Sequence, residues 1–219
     1  MKNKLFGLLL VVTSVVPAFA GGIEDGVGKG GFNGKIEYTM EYELPEAYES
    51  QRAMLPTEMT TYIGAGFTRV EQNTGLGEQI TINDLKTGGS TVLMNMMGQK
   101  IALSTEGASK DFTPNIEETG ETKVIAGYTC KKVIYSIPDD KAEPVSFEIY
   151  YAEELGEEAN TQFPGVKGFP LEYVMETQGM VITYTAKTVS EEKVAKSLAK
   201  VPEGYEKMTY EDFVKMMGG

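Results

Sequence analysis

The chain has 219 residues, a formal net charge of −12, no histidine, no tryptophan and one cysteine, Cys130. Without histidine there is no Ser-His-Asp or Cys-His catalysis, no imidazole general base and almost no zinc or copper enzyme site. One cysteine excludes an intramolecular disulfide, and so acidic a chain is a poor ligand for nucleic acid or anionic lipid headgroups.

The N-terminus has the three parts of a secretory leader in order. Lys2 and Lys4 are basic, and Leu5 to Val16 is an apolar run. That run is shorter than the roughly 20 residues a membrane-spanning helix needs. Pro17 breaks it, and Ala18-Phe19-Ala20 offers small residues at the cleavage positions. Residues 1–20 are therefore predicted to be a cleavable signal peptide, with a buried core helix or an uncleaved anchor as the competing reading. No cysteine follows the cleavage site to carry a lipid, and no later segment is apolar enough to predict a transmembrane segment. The expected location is the periplasm, or the medium outside the cell. About 200 residues remain after cleavage, enough for one domain with a sizeable core. Residues 21–33, dense in glycine, are predicted to be a flexible lead-in, and 34–219 a single β-rich domain. A lone thiol in an oxidising compartment is best tolerated when buried, as the apolar neighbours of Cys130 suggest.

Period-two alternation begins at once. Ile36, Tyr38, Met40 and Tyr42 alternate with Lys35, Glu37, Thr39 and Glu41, and Pro45 ends that strand. Residues 46–55 read as a short helix. Strands follow at 60–63 and 67–72, then 79–84 with Ile80 and Ile82 on one face, 91–96 with Val92, Met94 and Met96 on one face, and 100–103. Glycine turns join them, as in an antiparallel meander. Residues 104–121 are polar and read as a loop or connection. Strands resume at 122–125, 130–136 and 145–151, the last with Val145, Phe147, Ile149 and Tyr151 on one side. Residues 152–160 suggest one or two helical turns. A hairpin at 171–176 and 181–188 turns at Gln178-Gly179. Thr209 and Asp212 have capping-box spacing ahead of an apolar stripe of Tyr210, Phe213, Val214 and Met217, which predicts a C-terminal helix.

Acids are the only plentiful catalytic groups, yet no spacing singles out a glycosidase-like pair, and solvated surface is the better reading of Glu117-Glu118 and Glu153-Glu154. Asn83-Asp84 and Asp139-Asp140 match no calcium loop. Met94, Met96 and Met97 invite a copper(I) site, but Val92 shares the face of Met94 and Met96, so adaptable apolar lining explains them better. No catalytic residue, metal ligand or cofactor is predicted. A curved sheet with Met and Tyr on its concave side can take an apolar ligand. The candidate lining is Tyr38, Met40, Tyr42, Met94, Met96, Phe147, Tyr173 and Met175, with a solid core as the competing reading.

The segment Ile125-Ala126-Gly127-Tyr128-Thr129-Cys130-Lys131-Lys132 resembles an I-x-G-Y-x-C-K-K strand-turn-strand signature of secreted domain-of-unknown-function proteins of Gram-negative bacteria. Other pieces agree in order: Thr81 to Asp84, the L-M-N-M-M-G-Q-K stretch from Leu93 to Lys100, Gly168 to Tyr173, and Val201 to Tyr205. Over about residues 34–217 the layout is similar to the GLPGLI-type proteins and, more distantly, to the periplasmic lipoprotein carriers LolA and LolB. The resemblance implies a mainly β (α+β) fold, a strongly curved antiparallel sheet or unclosed β-barrel with a few covering helices. In the carriers that concavity holds acyl chains, but their motif residues have no counterparts here to which lipoprotein transfer could be assigned. The signature itself has a structural reading: Gly127 permits a tight turn, Tyr128 and Cys130 pack inward, and the lysines keep an outer face wet.

The expected function is a periplasmic binding or carrier protein for a lipid-like or peptide-like ligand. A non-catalytic envelope module that holds another protein is the alternative, and a carboxylate-based hydrolase comes third. Neither ligand, partner nor oligomeric state is legible.

Overall fold

In the computed structural model of the chain, the described residues are 31–75, 77–96, 98–105, 113–138, 145–177, 179–209, 212–213 and 215, without the side chains of Met96 and Thr105. The expected signal peptide, Met97, Asp139-Asp140, Gln178, Tyr210, Val214 and Met217 lie outside them.

The described residues form one unclosed 12-stranded sheet built from two meanders. The first holds β1 (Gly34–Glu43), β2 (Glu58–Gly64), β3 (Phe67–Thr74), β4 (Gly77–Asp84), β5 (Ser90–Met96) and β6 (Gln99–Thr105). The second holds β7 (Asn115–Ile125), β8 (Tyr128–Ile137), β9 (Val145–Ala152), β10 (Phe169–Thr177) and β11 (Met180–Glu191), and β12 (Glu206–Thr209) comes last. Antiparallel pairing of β1 with β11 joins the two meanders, with a bulge at Glu37/Tyr38. The spatial order is β12-β6-β5-β4-β3-β2-β1-β11-β10-β9-β8-β7.

Three expectations need correction. First, the sheet is not wholly antiparallel: β12 runs parallel to β6, with Lys207 opposite Ala102 and Met208 opposite Leu103. Second, part of the predicted loop 104–121 is strand, since β7 starts at Asn115. β7 is an edge strand, exposed along most of its length and bulged between Glu118 and Thr122. An edge strand has no buried face to impose alternation, and charge plus a bulge guards it against pairing with other chains. Third, the lead-in is not loose to its end. Asn33 accepts the Val194 N–H through its side chain (3.0 Å) and the Glu192 N–H through its carbonyl (3.1 Å), while Phe32 packs on the core. The described helical elements are short, as expected for 46–55 and 152–160. They are the 3-10 segments Glu46–Met54, Glu153–Leu155 and Lys196–Ala199, plus the start of a helix at Asp212-Phe213. At that start the Thr209 hydroxyl accepts the Asp212 N–H (3.2 Å) and donates to the Asp212 carboxylate (2.7 Å), which is the predicted cap.

The turn inside the I-A-G-Y segment explains its composition. Ala126 and Gly127 both have left-handed backbone, φ 48° and 90°, as a two-residue hairpin turn requires where the strands twist right-handedly. Gly127 accepts that at no cost, and Ala126 is the one non-glycine with positive φ among the described residues.

The sheet curls. Cα atoms of β7 approach those of β11 within 8 Å although three strands lie between them in the order. Lys123 of β7 also reaches Glu172 of β10 at 2.7 Å, across β8 and β9. The main core fills this curl, with Ile36, Tyr38, Cys130, Ile149, Leu171, Tyr173 and Tyr184 all buried. The far part of the first meander, β4 to β6, is packed on both faces. Ile80, Ile82, Leu93 and Ala102 pack under Val201 and Tyr205 on one side, and Val92, Met94, Ile101 and Leu103 meet Phe213 and Met208 on the other.

Candidate functional site: an apolar concave face

Strand pairing decides which side chains share a face, because directly opposed residues point the same way. One row runs Val133-Ile149-Tyr173-Tyr184-Met40 across β8, β9, β10, β11 and β1. A second continues Tyr38-Met59-Gln72-Gln79-Met94-Ile101 from β1 to β6. A third, one step along, is Ile36-Thr61-Val70-Thr81-Val92-Leu103. From β1 to β6 no position in this register carries a charge. Glu37, Glu58, Arg69, Glu71, Glu78, Asp84 and Lys100 all fall in the opposite one.

The face is concave where the second meander curls. Tyr38 sits 6.4 Å centroid to centroid from Tyr173, skipping β11, and its hydroxyl donates to the Pro170 carbonyl at 2.7 Å. Tyr173 stacks on Tyr184 at 4.5 Å and 14°. Into this bowl comes Phe163, from the irregular stretch between β9 and β10. Its ring lies 5.5 Å from Tyr135, 5.9 Å from Phe147 and 5.3 Å from Tyr173. Edge-to-face contacts at these spacings suit the ring quadrupoles. Asn160 fixes the stretch: its amide donates to the carbonyls of Phe163 (3.0 Å) and Gly168 (3.1 Å) and accepts the Phe163 N–H (3.0 Å). Gly168 allows the close return, since a Cβ there would meet the Ala152 carbonyl oxygen at 2.5 Å.

Burial pushes the phenols of Tyr38, Tyr42 and Tyr173 well above their ordinary range and that of Tyr135 up to about 12, so the face stays neutral. The Cys130 thiol is likewise pushed up to about 11 by burial, which makes it an inert hydrophobe and not a nucleophile. Among the described residues no group of three or more acids or Cys could hold a metal ion, and no helix is long and apolar enough to cross a membrane.

Of the residues expected to line a concavity, Tyr38, Met40, Phe147 and Tyr173 are buried in one cluster, with Tyr42 and Met175 at its margin. Met94 stands in the same register but in a separate cluster, packed with Phe213. Met96 is placed in β5 opposite Gln99, and its side chain is not among those described.

The two apolar regions are separated by residues that alternation alone assigns to a wet face. Thr61, Thr68, Gln72, Gln79 and Asn83 lie between them, all buried. Asn83 donates to the Thr68 hydroxyl at 2.9 Å, whereas Gln72 Oε1 and the Tyr135 hydroxyl are sealed from solvent without a hydrogen-bond partner. The signal for this stripe was present in the residue types, because the polar residues of this register are uncharged while those of the other include acids and bases.

No family model and no curated protein sequence matches the chain. Among solved structures, PNGF-II aligns at a TM-score of 0.54 and 14% identity, over 84% of this chain and 33% of PNGF-II, so the chain spans a third of that protein. The lipoprotein LppX of Mycobacterium tuberculosis aligns at a TM-score of 0.39 and 11% identity, covering 86% of this chain and 97% of LppX. LprF of Mycobacterium bovis aligns at 0.34 and 10%, covering 80% and 90%. At these identities the likeness to PNGF-II is one of fold.

Proposed function

We propose that the protein is an exported, non-catalytic binding or carrier protein that takes an apolar, lipid-like or peptide-like ligand onto the concave face of its sheet. The observation that carries this reading is the packing of Tyr, Phe and Met side chains from strands distant in sequence into one bowl, continuous with a register that carries no charge from β1 to β6. Such a surface offers dispersion and hydrophobic burial to a ligand and nothing with which to activate one. Phe163 occupies the place an apolar tail would take, so a ligand enters by displacing it.

Protein purified without detergent is examined by native mass spectrometry with lipid extraction, and then titrated with the apolar fluorophore phenylnaphthylamine. The protein lacks tryptophan, so the background is low. A co-purified apolar molecule or saturable probe binding supports the reading. A ligand-free protein that also leaves the probe dark overturns it. Export is tested separately: the mature N-terminus found in the periplasmic fraction should be Gly21, and an intact leader on cytoplasmic protein would refute it.

A further inference from the structure

We infer that the buried polar stripe across β2, β3 and β4 is the seat for an uncharged, hydrogen-bond-donating group of the ligand, a hydroxyl or an amide N–H. This rests on the apolar-ligand reading and names the ligand class more narrowly: a neutral amphiphile and not a fatty-acid anion.

Three observations converge. Gln72 is 6% exposed, stands on the concave register between Met59 and Gln79, and has an amide oxygen with no partner. A desolvated acceptor left unmade is unfavourable, and a ligand donor that reaches it recovers that loss. Its neighbours Thr61, Thr68 and Asn83 are neutral as well, so the stripe gains hydrogen bonds without needing a counter-charge. No Lys or Arg shares the face from β1 to β6, and the chain is strongly acidic. A carboxylate placed there would be desolvated with no cation to meet it, which is strongly unfavourable.

The stripe also lies where an amphiphile needs it. Four strand spacings separate β3 from β10 in the order, about 19 Å along the arc at about 4.8 Å each. A polar group at Gln72 would therefore leave its chain free to run over Tyr38 and Tyr184 to the bowl around Tyr173.

The test is competition against bound phenylnaphthylamine by two probes of equal chain length, monopalmitoylglycerol and palmitate, at a pH where palmitate is ionised. The neutral probe should displace the dye at a concentration about tenfold lower. Gln72→Leu should reduce that preference to near one, the two probes being compared on the same variant so that any change in dye affinity cancels, and Gln72→Met gives the same readout should the leucine variant fold poorly. Equal displacement by the two probes, or a preference that survives both substitutions, overturns the inference and leaves the binding reading intact. If the dye itself fails to bind, both fall.

Discussion

Phe163 belongs to no strand, yet it sets its ring edge-on to Tyr173 at 5.3 Å and 68°, and so becomes the centre of a core built by strands on every side. Removing it tests both the packing and the proposed bowl. Phe163→Ala should cost about 3–5 kcal/mol in denaturant unfolding, as large-to-small core changes do. It should also raise affinity for an apolar probe, because the vacated volume is lined by Tyr135, Phe147 and Tyr173. A variant about as stable as the parent would remove Phe163 from the core.

The stretch that delivers Phe163 is held by one side chain. Asn160 is buried and makes three hydrogen bonds to backbone groups of its own loop. Asn160→Ala strips partners from two carbonyls and an N–H at once. A loss of about 1–3 kcal/mol follows, with faster proteolysis between β9 and β10. Unchanged proteolysis would mean that Phe163 alone anchors the loop.

How far the molecule was legible can be read from the same elements. β1 and β9 announced themselves because one face of each is packed and the alternation is strong. The first part of β7, before the expected strand at 122–125, was hidden, for its edge position leaves nearly every residue in solvent. β12 was hidden because four residues pairing in parallel with β6 carry no period long enough to see. The neutral stripe was missed for a subtler reason. In β4 the apolar residues Ile80 and Ile82 face the strap that carries Val201 and Tyr205, so Gln79, Thr81 and Asn83 looked like the solvent side. Burial on both faces of a strand erases the contrast on which alternation depends. That these Tyr and Met residues share a face was legible as a register, but their division into two buried clusters on either side of the stripe needed three-dimensional pairing.

Alkaline pH should unfold the protein early. Burial raises the Cys130 thiol to about 11, the Tyr135 phenol to about 12, and Tyr38 and Tyr173 further. In the unfolded chain a thiol titrates near about 8.5 and a phenol near about 10. The folded state therefore retains protons that the unfolded state has shed. Stability is fully present below the unfolded values and is lost as pH rises through them toward the folded ones. Thermal midpoints should fall from about pH 9 upward, and part of the phenolate absorbance should appear in step with unfolding. Free titration of all 12 tyrosines near pH 10 in the folded protein would contradict the burial.

Ala126 carries a conformation that an L-residue with a Cβ adopts at a cost of about 1–2 kcal/mol. Ala126→Asn keeps a side chain that tolerates left-handed backbone, and Ala126→Gly removes the clash altogether. Each should raise stability by about 0.5–1 kcal/mol, the glycine gaining less than its steric relief because it also loosens the unfolded chain. Equilibrium urea unfolding decides the matter; a loss in both variants would mean that the alanine methyl, packed on the core, matters more than the backbone.

Arg69 is the one buried cation among the described residues, and it ties the back of the sheet to the strap after β11. Its Nε donates to Glu71 at 2.6 Å and its Nη1 to the Leu198 carbonyl at 3.3 Å, inside the 3-10 segment Lys196–Ala199. That segment buries no side chain of its own, so its attachment depends on this bond and on the flanking Val194, Val201 and Tyr205. Arg69→Met keeps the stem that covers apolar surface but removes the donors and leaves Glu71 without its cation. The strap should then open more often, and trypsin should cut after Lys196 and Lys200 several times faster while the rest of the sheet resists. Arg69→Lys should fall between the two, since an ammonium can meet Glu71 but cannot hold the fork geometry that also reaches Leu198. Equal cleavage rates in all three proteins would show that the apolar contacts alone hold the strap.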